Sequence, residues 1–255
     1  MPRKKIIVIT GATAGFGKAI AEKFASEKFA CIITGRRKDR LEKIAQQLEN
    51  KYGAAVLPLS FDVRDREAVF ASIARLPQAW KKIDILVNNA GLALGRESFE
   101  LAALEDWDVM TDTNVKGLLN VSRAVLPYLM KSKNGHIINI GSTAAKEVYP
   151  NGNIYCATKH AVNAISKAQR IDLLKYGIKV TAIHPGAAET EFSLIRFKGD
   201  KEKAKQVYAG FKPLSGKDIA EICFYCATLP AYVCINDLVV TCTAQANSYL
   251  IEKKG

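Results

Sequence analysis

The chain has 255 residues, of which 49% are hydrophobic and 24% charged, as in soluble globular proteins with a sizeable core. Its formal net charge is +12, but the basic residues are scattered without an interleaved aromatic stripe, so we predict no nucleic-acid partner. No apolar run approaches the roughly 20 residues of a membrane span, and the apolar stretch at 6–10 is too short for a signal peptide. We therefore predict a cytoplasmic protein with no membrane partner.

Short β-branched runs alternate with longer helical patterns along the chain. Most of the runs are apolar on both faces, as strands of a covered parallel sheet should be. The alternation predicts an α/β fold, a doubly wound parallel sheet of about seven strands with helices on both faces, in a single domain over residues 1–255. The predicted strands are 6–10, 30–34, 55–59, 83–87, 136–140, 179–184 and 238–241, and the predicted helices include 18–28, 40–51, 65–75 and 154–176.

A glycine-rich turn joins the first strand to the first helix, with Gly11, Gly15 and Gly17 in it. Glycine permits a positive φ and a close approach of the backbone to a pyrophosphate. The helix that follows points its free N–H groups at such an anion. The turn predicts a dinucleotide site, and a plain tight turn is the alternative.

The second strand ends in Gly35-Arg36-Arg37. An NAD site usually has an acidic residue about 20 residues past the glycines, where it binds the ribose 2′-hydroxyl. Here Gly35 takes that position, and the two arginines offer planar forks that match a phosphate. The pattern predicts NADP(H) rather than NAD(H). Two surface arginines without a ligand are the alternative.

Tyr155 and Lys159 are four residues apart in a predicted helix, so both side chains can point into one site. A free tyrosine has a pKa of about 10, and a nearby cation lowers it toward values useful for proton transfer. Ser142 ends a predicted strand 13 residues before the tyrosine and can hold a substrate oxygen. Together they predict proton transfer to or from a carbonyl or hydroxyl group.

The segment 192–214 is polar and basic and is interrupted by Gly199, Gly210 and Pro213. It follows a strand end, where ligands bind in open α/β sheets. We predict that residues 190–214, here called the lid segment, form a substrate lid. An irregular surface excursion is the alternative.

Six cysteines are present, and we predict reduced thiols rather than disulfides. Cys223 and Cys226 lie in an amphipathic helical pattern with no second pair at zinc spacing, which favours buried apolar residues. The three histidines also lack ligand spacing, so we predict no metal site.

The motifs together resemble those of the short-chain dehydrogenase/reductase family, and the match in order and spacing covers nearly the whole chain. The residues that carry the resemblance are Thr10-Gly11-x-x-x-Gly15-x-Gly17, Asn88-Asn89-Ala90-Gly91, Asn114, Ser142, Tyr155-x-x-x-Lys159 and Pro185-Gly186.

The resemblance implies a Rossmann-type subunit, a homotetramer and four catalytic residues. Tyr155 would be the general acid/base, Lys159 would lower its pKa and hold the nicotinamide ribose, Ser142 would orient the substrate oxygen, and Asn114 would hold a water linked to Lys159. Asp62-Val63 would lie against the adenine, and Thr190 would contact the carboxamide. The cofactor residues predicted in all are Gly11, Thr13, Gly15, Phe16, Gly17, Arg36, Arg37, Asp62, Val63, Asn89, Ala90, Gly91, Tyr155, Lys159, Pro185, Gly186 and Thr190.

Residues 189–200, Val207-Tyr208, Pro213-Leu214 and Gln245-Ala246 are similar to those of the NADP-dependent 3-hydroxy acid dehydrogenases within that family. This similarity implies a small hydroxy-acid or oxo-acid substrate such as serine, L-allo-threonine or 3-hydroxyisobutyrate.

A carboxylate substrate needs a cation, for which we predict Arg196 first and Lys146 second. Ala187-Ala188 departs from the bulkier apolar pair common in that group and leaves the pocket size open. A general carbonyl or 3-oxoacyl reductase and a non-catalytic NADPH-binding regulator are the alternatives.

Overall fold

Seven parallel strands form one sheet in the order β3-β2-β1-β4-β5-β6-β7. The computed structural model describes residues 4–132 and 134–254. The strands are β1 Ile6–Ile9, β2 Ala30–Gly35, β3 Val56–Ser60, β4 Ile83–Asn88, β5 His136–Ile140, β6 Lys179–Pro185 and β7 Asp237–Val240. The prediction of a doubly wound parallel sheet in one Rossmann-type domain is confirmed, and every predicted strand lies within one residue of its observed ends.

Helices cover both faces of this sheet. They are α1 Gly15–Ser26, α2 Lys38–Tyr52, α3 Arg66–Ala74, α4 Leu104–Thr111, α5 Leu118–Leu129, α6 Asn153–Asp172, α7 Glu191–Arg196, α8 Lys201–Gln206 and α9 Gly216–Thr228. None of the helices within residues 4–132 and 134–254 is long and apolar enough to cross a membrane.

Hydrophobic cores form on the two faces of the sheet because the central strands bury side chains on both faces. On one face, Ile7 and Ile9 pack with Phe24 of α1, Leu41 of α2 and Ile219 of α9. On the other, side chains of β1 and β2 pack with α3 and α5, among them Val8, Ile32, Val69, Ile73, Val121 and Val125. The paired cores explain why the strands are apolar throughout rather than alternating.

The strand order reverses direction beside β1. The chain runs outward from β1 through β2 to β3 and then returns to β4 on the other side of β1. Val8 of β1 is consequently paired with Ile32 of β2 and Leu86 of β4. Such a switch point opens a crevice at the carboxyl ends of the two central strands, which is where open α/β sheets bind ligands.

Three local features differ from the expectations. The predicted helix 154–176 ends at Asp172 as α6 and is followed by a 3-10 turn at Leu174–Tyr176. The lid segment contains two short helices, α7 and α8, which were not predicted from the sequence. The helical region 104–129 was missed. Cys223 and Cys226 are buried, as predicted, and all six cysteines are free.

Candidate active site

A cavity of about 1060 Å³ opens at the carboxyl ends of the strands. It brings together most of the side chains that the sequence singled out. The predicted residues on its wall are Gly11, Thr13, Gly15, Phe16, Arg36, Arg37, Asp62, Val63, Asn89, Ala90, Gly91, Ser142, Tyr155, Lys159, Pro185, Gly186, Thr190 and Arg196. Gly17, Asn114 and Lys146 are not among the wall residues, and each has another place described below.

The glycine-rich turn leaves the start of α1 open toward the cavity. Gly11 and Gly15 have φ angles of +67° and +52°, which favour glycine. The N-cap residue Ala14 supplies no side-chain cap, and the first turn of α1 holds no acidic residue. The free N–H groups and the positive end of the helix dipole therefore face the cavity, as a pyrophosphate requires.

Gly17 lets α1 pack closely against the turn before it. A Cβ atom there would collide with the carbonyl oxygen of Gly11 and with the Asn89 side chain. The contact of Gly17 with the cofactor stays a prediction.

The turn after β4 is fastened to the turn after β1. The Thr10 hydroxyl accepts hydrogen bonds from the backbone N–H groups of Asn89 and Ala90, both at 2.9 Å. The Asn89 amide donates to the carbonyl oxygens of Thr10 at 2.8 Å and Gly11 at 3.2 Å. These bonds hold two predicted cofactor-binding turns in one fixed arrangement.

The arginines that follow β2 stand at one end of the cavity. The Arg36 side chain is 59% exposed, and its Nη1 lies 3.8 Å from Asp62. Arg37 donates from Nε and Nη2 to the Thr13 hydroxyl, at 3.2 and 2.7 Å. The open helix end, the glycine turn and these cations fit a dinucleotide that carries an additional phosphate on its ribose.

Tyr155 and Lys159 lie one turn apart on α6, and both are buried. The Lys159 ammonium donates to the carbonyl oxygen of Ile140 at 3.0 Å and lies 5.9 Å from the centre of the Tyr155 ring. The sequence predicted this shared face, and the structure places both side chains on the cavity wall.

Burial is the largest influence on the pKa values of Tyr155 and Lys159. It raises the pKa of Tyr155 above its ordinary value, and a hydrogen bond with Ser142 and the charge of Arg196 offset only part of the rise. It also lowers the pKa of Lys159, to about 8. The expected lowering of the Tyr155 pKa by Lys159 is thus not found in this arrangement. The penalty for charging a buried phenol outweighs the favourable charges around it.

Ser142 follows β5 and caps the short turn after it. Its hydroxyl accepts a hydrogen bond from the N–H of Ala144 at 3.1 Å. Behind it, the fully buried ring of His184 lies with Nδ1 3.2 Å from the Ser142 carbonyl oxygen. Burial lowers the pKa of His184 to about 4, so this ring is a neutral support for the serine backbone.

Asn114 lies behind the cavity wall, within a π-helical turn between α4 and α5. Its amide nitrogen donates to the Leu92 carbonyl at 2.8 Å and to the Thr158 hydroxyl at 3.0 Å. Its Oδ1 accepts from the Leu92 N–H at 2.8 Å. A Cβ atom at Gly91 would lie 3.2 Å from this oxygen and 3.6 Å from the Lys159 nitrogen. Because both amide hydrogens are engaged, Asn114 can hold a water only through an oxygen.

Arg196, at the end of α7, extends over the tyrosine. Its guanidinium carbon lies 5.5 Å from the centre of the Tyr155 ring. Nη1 donates to the Tyr149 hydroxyl at 3.1 Å, and Nε donates to the Gly95 carbonyl at 3.2 Å. These bonds hold a cation beside the predicted proton donor, where a substrate anion can reach it.

Lys146, the second predicted partner of a substrate carboxylate, is directed elsewhere. Its ammonium lies 2.7 Å from a carboxylate oxygen of Asp237 and donates to Asn163 at 3.3 Å. The ion pair satisfies its charge away from the cavity wall, so we withdraw the assignment. The sequence could not show this pairing, since Asp237 is 91 residues away.

Two aromatic residues of the site were missed. Tyr149 holds Arg196, and the ring of Phe192 lies 5.7 Å from that of Tyr155. An available signal for Tyr149 was its position in the loop between Ser142 and Tyr155. Phe192 stands at the start of the predicted lid segment and could have been taken as part of its apolar inner side.

The lid segment lines the cavity and is fastened to several other parts of the chain. The Gly95 N–H donates to the Arg196 carbonyl at 3.0 Å, and Lys198 pairs with Asp106 at 2.7 Å. Farther along, the Tyr208 hydroxyl donates to the Ala188 carbonyl at 2.7 Å. The segment thereby closes the side of the cavity opposite the sheet.

Comparisons with known proteins agree with this arrangement. Residues 5–199 match the family model described as short chain dehydrogenase. The chain is 49% identical to the NADP-dependent 3-hydroxy acid dehydrogenase YdfG of Salmonella typhi over 232 residues, covering 91% of this chain and 92% of that protein. It is 45% identical to sulfoacetaldehyde reductase 2 of Chromohalobacter salexigens over 242 residues, 94% of this chain and 95% of that one.

A solved structure is also very similar. The closed form of a serine dehydrogenase complexed with NADP+ superposes with a TM-score of 0.91 at 45% identity, covering 98% of this chain and 100% of the other.

Proposed function

Because the chain belongs to the short-chain dehydrogenase family, we propose that it is an NADP-dependent oxidoreductase that interconverts small 3-hydroxy acids and 3-oxo acids. The observation that carries the substrate class is the position of Arg196, whose guanidinium lies 5.5 Å from the ring of the proposed proton donor Tyr155. The carboxylate of a 3-hydroxy acid is separated from the reacting carbon by a single carbon. One small molecule can therefore reach both groups.

The cofactor proposal relies on the end of the cavity beside β2. Gly35 stands where NAD sites usually have a carboxylate, and Arg36 and Arg37 offer forks for a 2′-phosphate. The relatives named for NADP support the same assignment. When bound, NADP+ supplies the hydride acceptor, and the chain supplies orientation and proton transfer.

Tyr155 acts as the general acid/base. In the reduction direction its phenol donates a proton to the substrate oxygen, and in the oxidation direction its oxygen accepts the hydroxyl proton. The raised pKa keeps the phenol protonated at neutral pH, which suits the donating step. Ser142, which lies on the same cavity wall as Tyr155, orients the substrate oxygen.

Lys159 connects Tyr155 with a proton path. With its pKa lowered to about 8, it exists in both protonation states near neutral pH and can pass a proton as well as hold one. We assign Asn114 to positioning, because its carboxamide hydrogen bonds with Leu92 and with Thr158, the residue before Lys159. We also propose that residues 190–214 open and close over the substrate and that the subunit forms a homotetramer.

A sulfonate substrate is the second candidate. It is supported by the 45% identity to a sulfoacetaldehyde reductase and by the chemistry of Arg196, since a guanidinium can pair with other oxyanions besides a carboxylate. In sulfoacetaldehyde, as in a 3-oxo acid, a single carbon separates the anionic group from the reacting carbon, so the same position of Arg196 suits both.

The test is NADP+ reduction by the wild-type enzyme with matched substrates. L-serine, L-allo-threonine and 3-hydroxyisobutyrate are compared with the neutral amide of 3-hydroxyisobutyrate and with 2-hydroxyethanesulfonate. The proposal predicts a kcat/KM for the hydroxy acids that is at least about 30-fold above that of the amide, the ratio for one charged contact of about 2 kcal/mol. Equal values for acid and amide would remove the 3-hydroxy acid proposal, and a clear preference for the sulfonate would favour the second candidate.

A further inference from the structure

Glu191, the first residue of α7, forms ion pairs with Arg37 and Arg40, two arginines that follow β2. Its Oε2 lies 3.2 Å from Nη1 of Arg37, and its Oε1 lies 3.0 Å from Nη1 of Arg40. The two partners are 154 and 151 residues away in sequence. The contact therefore joins the lid segment directly to the part of the cavity assigned to the 2′-phosphate.

We propose that Glu191 is a specificity-determining residue of the cofactor site, whose carboxylate competes with the 2′-phosphate of NADP for Arg37 and Arg40. The inference builds on the proposed NADP-binding function and adds a residue that opposes it. Glu191 would thus set how strongly the enzyme prefers a phosphorylated over an unphosphorylated cofactor.

The hydrogen-bonding capacity of Arg37 supports competition. A guanidinium presents five N–H groups in a fixed fork, and a bidentate anion needs two neighbouring ones. The Nε and Nη2 groups of Arg37 are engaged by the Thr13 hydroxyl, and Nη1 is engaged by Glu191. Three of the five N–H groups are thus engaged, and a phosphate that takes the Nη1 hydrogen bonded to Glu191 must displace this carboxylate.

The charges point the same way. Burial would raise the pKa of Glu191, but the hydrogen bonds from Arg37 and Arg40 outweigh it and lower the pKa, so the carboxylate is ionised at neutral pH. A 2′-phosphate brought to the same arginines adds negative charge beside this carboxylate, and like charges at such range repel. The Arg36 side chain is 59% exposed, and its Nη1 lies 3.8 Å from Asp62. It stays available to a phosphate whether or not Glu191 is bound to Arg37.

Glu191 shares the short helix α7 with a residue proposed for substrate binding. The preceding residue, Thr190, caps α7 through its hydroxyl and lies on the cavity wall. The last residue of the same helix is Arg196, the proposed substrate cation. One short helix thus carries the carboxylate that competes with the phosphate and the cation proposed for the substrate.

The experiment measures binding without turnover. Wild-type protein, Glu191→Gln and the control Glu202→Gln are titrated calorimetrically with 2′,5′-ADP and with 5′-AMP, which differ by the 2′-phosphate alone. Glu202 is an exposed carboxylate of α8 in the same lid segment, so its substitution removes the same net charge at a different place.

We expect Glu191→Gln to increase the ratio of 2′,5′-ADP to 5′-AMP affinity by about 5- to 10-fold over wild type, the value of one partly screened charge contact near 1 kcal/mol. Glu202→Gln should change it less than 2-fold, on the scale of exposed charges. In an Arg37→Ala background the gain should shrink, because only Arg40 is then left for the carboxylate and the phosphate to compete for.

A ratio that is unchanged or lower in Glu191→Gln overturns the competition. So does a gain that persists in full without Arg37. The cofactor proposal is tested separately by the wild-type protein: a wild-type ratio near one would contradict NADP preference, whereas a high wild-type ratio that Glu191→Gln leaves unaltered contradicts only the role of Glu191.

Discussion

Replacing Arg196 with methionine removes the proposed anion partner while keeping a side chain of similar length. The guanidinium is half-buried above Tyr155 and held by Tyr149 and Gly95, so it is ordered before substrate binds. Removing one partner of a buried, hydrogen-bonded charge pair costs about 2–5 kcal/mol. Because Arg196 is only half-buried, we take about 2–3 kcal/mol, which corresponds to a 30- to 150-fold loss in kcat/KM for a hydroxy acid.

The assay is steady-state NADP+ reduction with 3-hydroxyisobutyrate and with its neutral amide. The acid should lose its advantage over the amide in Arg196→Met, mainly through an increase in KM. The charge of Arg196 also lowers the pKa of Tyr155, so a smaller fall in kcat should affect both substrates alike. Lys198→Met is the matched control, since Lys198 is a cation of the same segment that pairs with Asp106 and is 60% exposed.

The comparison of acid with amide decides the role of Arg196. If both substrates lose the same factor, the arginine serves to hold α7 against Gly95 and contributes no anion recognition. If Lys198→Met reproduces the loss for the acid, the general positive charge of the segment is responsible rather than a specific contact.

Arg36→Ala and Arg37→Ala should each increase the KM for NADP+ by about 10- to 100-fold, the range for a charged phosphate contact, and change that for NAD+ far less; parallel changes would refute a 2′-phosphate site. Lys146→Met should leave the KM for the hydroxy acid unaltered. Lys159→Met should be inactive yet more stable than wild type at pH 7 by up to about 3 kcal/mol in unfolding experiments. Burial lowers the Lys159 pKa from 10.5 to about 8, so this advantage should shrink as pH rises from 8 toward 10.5. An advantage independent of pH would contradict the buried ammonium.

The strands and the cofactor turns were predictable because their signals are local. A strand buried on both faces needs an unbroken apolar run such as 6–9, and the turn after it needs glycine where φ is positive. The shared face of Tyr155 and Lys159 follows from helical periodicity alone. These features depend on residues within a few positions of one another.

The helical region 104–129 was missed for a physical reason. A π turn at Asp112–Gly117 separates α4 from α5. A wider turn shifts the phase of the buried face, so an amphipathic pattern read with a period of 3.6 residues is lost across it. The buried polar residues Asn114 and Asn120 weaken the apolar signal further, since each is satisfied by distant backbone groups rather than by neighbours in the helix.

The substrate end of the site depends on contacts that no local pattern contains. Arg196 and Lys146 are both basic residues near the predicted site, and sequence alone could only rank them. Arg196 is held by Gly95 and Tyr149, which lie 101 and 47 residues away, whereas Lys146 is paired with Asp237. The packing of α7 against the loop after β4 places Arg196 on the cavity wall, whereas Lys146 lies beside β7. The sequence alone does not show this difference.

The most direct test of hydride transfer with a tyrosine acid/base is Tyr155→Phe, measured for turnover and for cofactor binding in the same preparation. The substitution removes one hydroxyl from a ring that stays packed against Phe192. NADP+ reduction with 3-hydroxyisobutyrate should fall by about 100- to 10,000-fold, the contribution of a positioned general acid/base. The dissociation constant for NADPH, followed by fluorescence, should stay within about 3-fold of wild type, since only one neutral hydrogen bond is lost. Turnover close to that of wild type would contradict the mechanism.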